Sequence, residues 1–215
     1  AHYKLDGDAT DRKGTYDGTA TNVTYGAGQF GQAGVFNGTS SDINTGFTPS
    51  GACSYSAWFK STATNSYSIV SSATTGSGGY NLDITASKLT GFGMSSTTSV
   101  NDGVWHHAVV TTNNTNENKI YVDGVLENSN SSATNPEGVV HIGRYGSLPY
   151  WFNGSIDQVR IFDEALTATE VESLYNEGLS TATTATVLDS RAGLIASGDT
   201  VLLDGVGVVC NPVVE

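Results

Sequence analysis

Asp6, Asp8, Asp11 and Asp17 stand close together near the start of the chain. Carboxylates at that density are what a hard cation such as calcium collects, with backbone carbonyls completing its oxygen shell. The same residues are also turn formers, because an Asp side chain accepts hydrogen bonds from nearby backbone amides. The loop of helical calcium sensors is excluded. Counted from Asp6, its sixth position is Asp11 where glycine is needed, and its last is Asp17 where a glutamate is needed.

Sugar recognition needs an aromatic face flanked by planar hydrogen-bonding side chains, since a pyranose presents both C–H and hydroxyl surfaces. The stretch Arg144-Tyr145-Gly146-Ser147-Leu148-Pro149-Tyr150-Trp151 supplies that combination, and Tyr80, Asn81, Asn101 and Asp102 are further loop candidates. The competing reading is that Tyr150 and Trp151 cover the rim of the fold. Trp58 and Trp105 lie in strand patterns and are expected in the core.

Other constellations point away from chemistry. His106 and His107 are adjacent, so on a strand they face opposite sides and cannot share one metal; they are read as structural, with His2 and His141. Cys53 and Cys210 match no metal spacing, and stand either as a disulfide closing a long loop or as unpaired core thiols. No strand pattern carries the two or three alternating carboxylates that a glycosidase needs to reach one cleft, and no G-x-S-x-G is present. The expectation is a protein that is not an enzyme.

The elements that position these residues are mostly strands. The 215 residues hold 26 Gly, 4 Pro and only 14% charged residues, a composition suited to a β protein with many turns. Period-two alternation runs through Cys53–Phe59 and from Trp105 to Thr112, each expected to bury one face. Asp123-Gly124 marks a two-residue hairpin. Further strands are expected at Tyr67–Ser71, Tyr80–Thr85, Leu89–Met94, Val139–Gly143 and Ile156–Phe162. One helix is expected from Thr167 to Glu177, with Thr167 and Glu170 as a capping box, Leu166 and Val171 as a staple, and Gly178 ending it. The fold class is therefore all-β, an antiparallel two-sheet sandwich with one short C-terminal helix and an appended β-rich tail. Residues 1–178 form the main domain, 179–186 a Ser/Thr/Ala linker, and 187–215 an apolar hairpin tail able to mediate self-assembly.

The net charge of −12 repels polyanions, so nucleic acid is not an expected partner. No apolar run approaches the roughly 18 residues of a membrane helix, so no membrane insertion is expected. The chain starts at Ala1, and Met94 is its one methionine, which fits a removed initiator or a cleaved leader.

Trp105-His106-His107-Ala108-Val109-Val110, Ile120-Tyr121-Val122-Asp123-Gly124, Ile142-Gly143-Arg144 and Phe152-Asn153-Gly154-Ser155-Ile156-Asp157-Gln158-Val159-Arg160-Ile161, followed by Ala165-Leu166-Thr167, resemble the laminin-G-like jelly rolls of the concanavalin A-like superfamily. The opening from Ala1 to Asp8, with Asp11, Gly14 and Gly18, is similar to that family's first strand and turn, as is Phe36-Asn37-Gly38. The resemblance spans roughly residues 1–178. It implies a jelly roll used for recognition or adhesion, extracellular or on a virion surface, whose loops bind a glycan or a surface ligand. The alternative is a structural block of such an assembly, docking through residues 187–215. The resemblance also implies one calcium between the first turn and the Asp opening the late strand, here Asp11 and Asp157, with Asp8 beside them.

Overall fold

In the computed structural model the described residues are 1–64, 66–72, 81–132, 138–146, 148, 150–179, 200–203 and 206–209. Tyr80, Cys210, the expected linker beyond Leu179, and most of the tail lie outside them, so the disulfide and most of the assembly element do too. The chain divides into two compact units, Ala1–Gly178 and Leu179–Glu215.

The first unit opens with β1 (His2–Tyr3), β2 (Thr19–Thr21), β3 (Thr24–Ala27), β4 (Gln32–Asn37) and β5 (Asp42–Asn44). The middle of the chain gives β6 (Cys53–Lys60), β7 (Ser66–Ser71), β8 (Asn81–Thr85), β9 (Lys88–Gly91), β10 (Met94–Ser99) and β11 (His106–Thr112). Then follow β12 (Asn118–Val122), β13 (Val125–Asn130), β14 (His141–Ile142), β15 (Asn153–Phe162) and α1 (Ala168–Leu179). The second unit holds β16 (Thr200–Leu203) and β17 (Val206–Val209), an antiparallel pair.

Two antiparallel sheets face each other. The larger runs β13-β12-β11-β6-β15-β4-β3 with β1 added on β15, and the smaller runs β10-β9-β8-β7-β14-β5-β2. Between them Tyr3, Phe36, Tyr55, Phe59, Leu82, Ile84 and Phe152 are fully buried in one core. The antiparallel two-sheet jelly roll read from the sequence is the fold observed.

Three local expectations are corrected. Strands β6 and β11 are buried on both faces rather than one. Cys53, Tyr55, Ala57 and Phe59 enter the core, while Ser54, Ser56 and Trp58 are covered from the other side. There Ser54 Oγ donates to Glu164 O at 2.8 Å and accepts from Leu166 N at 2.9 Å, and Tyr175 of α1 stacks on Trp58 at 5.6 Å. The stretch read as one strand at Leu89–Met94 is instead a hairpin between β9 and β10. It turns at Phe92 and Gly93, whose φ values of 51° and 73° reverse the chain as a two-residue turn requires. Trp105 precedes β11 and is half-buried, with Lys60 Nζ 5.2 Å from its ring centroid.

The Asp123-Gly124 turn forms as read, with φ of 51° and 79°. Asp123 also knits the hairpin to β11: its carboxylate accepts from His107 N at 2.8 Å and meets His106 Nδ1 at 2.8 Å. The two carboxylates around it, Asp123 first and then Asp102, hold the His106 imidazolium above its usual range against the opposing effect of burial.

The helix starts as its sequence dictates. Glu170 Oε2 accepts from Thr167 N at 2.8 Å and from the Thr167 hydroxyl at 2.7 Å. Leu166 and Val171 pack with Val109 and Tyr121 in a small second cluster on the outer face of the larger sheet. Gly178 does not end it, since the helix continues to Leu179. Because this helix covers β6, its cap contributes to the whole unit. Thr167→Ala is expected to destabilise the protein by about 1 kcal/mol, measured by denaturant unfolding; an unchanged midpoint would mean that the capping box does not matter to the fold.

Candidate functional site

Strand β8 alternates. Leu82 and Ile84 point into the core, so Asn81, Asp83 and Thr85 face the opposite side of the smaller sheet. Thr90 is the cross-strand partner of Asp83. With Met94 and Ser95 of β10, and with Tyr145, Leu148 and Tyr150 after β14, these residues line a cleft of about 510 Å³.

The aromatic wall is held by its own backbone. Tyr145 N donates to Tyr150 O at 3.0 Å, Leu148 N to Tyr145 O at 3.0 Å, and Phe152 N to Gly143 O at 2.9 Å. The two tyrosine rings meet edge to face at 6.1 Å, and Tyr150 is 41% exposed. The opposite wall, the β9–β10 hairpin, is gripped by side chains of β13 from the other sheet. Glu127 accepts from Thr97 N at 2.8 Å and from the Thr98 hydroxyl at 2.6 Å. Asn128 donates to Ser95 O at 3.0 Å and Asn130 to Phe92 O at 2.8 Å.

Asp83 is the chemically unusual residue of the cleft. Its Oδ2 accepts from the Asn81 amide, while no donor among the described residues reaches Oδ1 in hydrogen-bonding geometry. Burial pushes its carboxyl up to about 7, with Asn81 and Ser68 opposing only in part. The Tyr145 phenol is raised as well, by burial and then by Asp83. A carboxyl on this wall can therefore act as acceptor and, when protonated, as donor.

Of the residues read as sugar contacts, Asn81, Tyr145 and Tyr150 line the cleft. Arg144 and Trp151 are outside its lining. They are paired across an isolated bridge, with the guanidinium 4.8 Å from the Trp151 ring centroid and 3.8 Å from Asp42, which also meets His141 Nδ1 at 2.8 Å. Their place is to brace the base of the Tyr145–Tyr150 turn. Asp102 is engaged with His106 at 3.2 Å. Asp83 was missed, although an acidic residue between Leu82 and Ile84 in an alternating strand was a readable signal.

The expected metal trio does not assemble: no group of three or more His, Cys, Asp or Glu side chains is placed to hold an ion among the described residues. Asp11 is fully used by its turn. Its Oδ1 accepts from His2 N at 2.8 Å and Lys13 N at 3.0 Å, its Oδ2 from Tyr16 N at 3.2 Å and Thr15 N at 3.4 Å. Four backbone amides thus share the lone pairs of this carboxylate, which gives it a turn-holding role. Asp8 is exposed and accepts from Thr10 N at 3.0 Å. Asp157 is elsewhere, fully buried, accepting from Phe30 N at 2.9 Å, and its Oδ1 has no hydrogen-bond partner among the described residues.

Asp6, not Asp11, is its acidic neighbour. Asp6 accepts from Gln32 N at 2.8 Å, so the two carboxylates clasp the turn between β3 and β4, which Gly28 N closes on Gly31 O at 3.0 Å. Only glycines fit under them. A Cβ on Gly28 would lie 2.7 Å from Asp157 Oδ2, and one on Gly31, whose φ is 61°, would lie 2.5 Å from Asp6 Oδ1. Burial pushes the Asp157 carboxyl up to about 6, against the Phe30 amide and with Asp6 adding to the rise.

The Asp83 environment has a consequence for stability. Folded, Asp83 holds its proton up to about 7; unfolded, it loses it near the ordinary 3.8. Its contribution to stability is thus complete at low pH and disappears as pH rises from 3.8 through about 7. Asp83→Asn, neutral throughout, is expected to melt progressively higher than the parent as pH increases over that window. A gap that does not change with pH would show that the Asp83 carboxyl is not held neutral.

No curated protein matches the chain. Among solved structures, Domain 4 of AbnA, a GH43 extracellular arabinanase from Geobacillus stearothermophilus in complex with arabinotriose, aligns with a TM-score of 0.69 and 26% identity, over 81% of this chain and 97% of that one. The binding domain of Paraclostridial Mosquitocidal Protein 1 aligns at 0.60 with 17% identity, over 76% and 48%. The binding domain of Botulinum neurotoxin DC, in complex with rat synaptotagmin II, aligns at 0.58 with 15% identity, over 81% and 52%. This chain spans about half the length of those two toxin domains, which share its fold. The Laminin_G_3 family model matches residues 36–172, from the end of β4 into α1, and the chain accordingly belongs to this family of the concanavalin A-like lectin/glucanases superfamily.

Proposed function

We propose that the chain is a non-catalytic carbohydrate-binding module of a secreted protein, taking a short oligosaccharide in the cleft on the smaller sheet. One observation carries this reading: two tyrosine rings and the Asn81–Asp83 pair converge on one open concavity. Aromatic C–H contact and a paired set of planar polar groups are what a sugar ring requires. Among the described residues the cleft holds one carboxyl, that of Asp83, where glycosidic hydrolysis uses a separated pair. The arabinanase domain solved with arabinotriose supports arabino-oligosaccharides as the first ligand class to try. In isothermal titration with arabinotriose, Tyr150→Ala is expected to weaken binding about tenfold, the loss of one aromatic contact worth ~1.4 kcal/mol, without lowering the melting temperature. Unchanged affinity would remove the cleft from consideration.

Calcium belongs to this proposal at a corrected place. The buried Oδ1 of Asp157, which has no hydrogen-bond partner among the described residues, and the neighbouring Asp6 carboxylate fit a hard cation, which would offset their mutual repulsion and fix the 28–31 turn. Asp157 and Asp6 would hold it, and its role would be structural. Calcium at about one hundred times its dissociation constant is expected to add roughly 2.7 kcal/mol to stability, and Asp157→Asn to abolish that gain. A melt indifferent to calcium in the parent protein would discard the site.

A further inference from the structure

On the outer face of the larger sheet, under the last turns of α1, lies a cavity of about 250 Å³ that shares no residue with the cleft. Its walls divide by chemistry. Phe30 and Leu174 give apolar surface, as does Trp58, whose ring is already stacked on Tyr175 and so serves as wall rather than platform. Lys4 and Arg160 bring two cations into a chain of net charge −12. Glu177 engages Arg160 at 2.7 Å, and Lys4 has no carboxylate at ion-pair distance among the described residues.

Two residues on the wall of this cavity stand out. His107, 2% exposed, meets Ser56 Oγ through Nε2 at 2.8 Å, and its Nδ1 has no partner among the described residues. Buried polar atoms are normally bonded, so this one is a vacant hydrogen-bonding position on the wall. Gln158 is held at a φ of 49° where β15 shifts register between Asp157 and Arg160. Backbone held there by a non-glycine residue collects at binding sites, and here it sets the Gln158 side chain on the cavity wall, with Oε1 2.9 Å from His2 Nε2.

We propose that this cavity is a second binding site, for a hydroxylated monocarboxylate the size of one sugar ring, such as a uronic acid. The volume lies below the range of larger ligands and suits a single ring. The carboxylate is taken by Lys4 and Arg160. One shared and one unshared cation match a single negative charge better than the double charge of a phosphate. A hydroxyl meets His107 Nδ1, because a hydroxyl both donates and accepts and so satisfies either tautomer. The C–H face of the ring lies against Phe30 and Leu174.

The test is titration of the intact chain with glucuronate and, separately, glucose, followed by amide chemical shifts. Saturable shifts with glucuronate, at least about tenfold weaker binding of glucose, and a loss of similar size in Lys4→Gln and in Arg160→Gln are expected. Tyr150→Ala should bind glucuronate like the parent, which separates this site from the cleft. Circular dichroism checks folding of Arg160→Gln, which also loses its contact with Glu177; if that variant unfolds, Lys4→Gln decides. Equal binding of glucose, absence of saturation with glucuronate, or loss in Tyr150→Ala instead of Lys4→Gln would overturn the proposal.

Discussion

Burial of β6 on both faces is the constraint around which the first unit is built. A strand at the middle of a sheet has its backbone satisfied by two neighbours, here β11 and β15. Its side chains still need cover above and below. The smaller sheet covers the large residues Tyr55 and Phe59 on one side. On the other, Ser54 and Ser56 are small enough for chain segments to approach closely, so Glu164 and Leu166 hydrogen-bond to Ser54 and α1 settles over Trp58. A single short helix is thereby an obligatory part of an otherwise all-β unit.

Acidic residues are the second organising principle, in a role that net charge alone does not reveal. Asp11, Asp123, Asp157 and Asp6 each accept backbone amides at a turn or strand junction, replacing the ladder partners that the chain loses there. Asp83 and Asp157 go further, being buried with one oxygen that has no hydrogen-bond partner among the described residues. Such atoms are costly within a folded chain. That cost falls on the carboxyl's charged form, and burial accordingly raises both groups toward their neutral form.

Much of the fold was legible because its signals are local. Asp123-Gly124 needs positive φ at both positions, and Thr167 with Glu170 needs only three residues of context, so both are visible without tertiary information. The Phe92-Gly93 turn was not, since a Phe at positive φ hides inside an apolar run and the hairpin reads as one strand. Two-sided cover of β6 was equally hidden, as serines look solvent-facing until a helix lies on them. The candidate cleft was half legible. Aromatic density flagged Tyr145 and Tyr150, but which members of that loop face the cleft and which brace it depends on the Arg144–Trp151 bridge. Asp6 and Asp157 are far apart in sequence, and only the 28–31 turn shows that they are neighbours.

The side chains of β13 that reach across to Phe92, Ser95, Thr97 and Thr98 have a thermodynamic consequence for recognition. One wall of the cleft is immobilised by the opposite sheet, so its conformational entropy is surrendered during folding and not at the moment of encounter. A ligand of the kind proposed would meet a preorganised surface on the hairpin side. Association can then proceed with little rearrangement, and differences among ligands will be expressed mainly in how long each one stays.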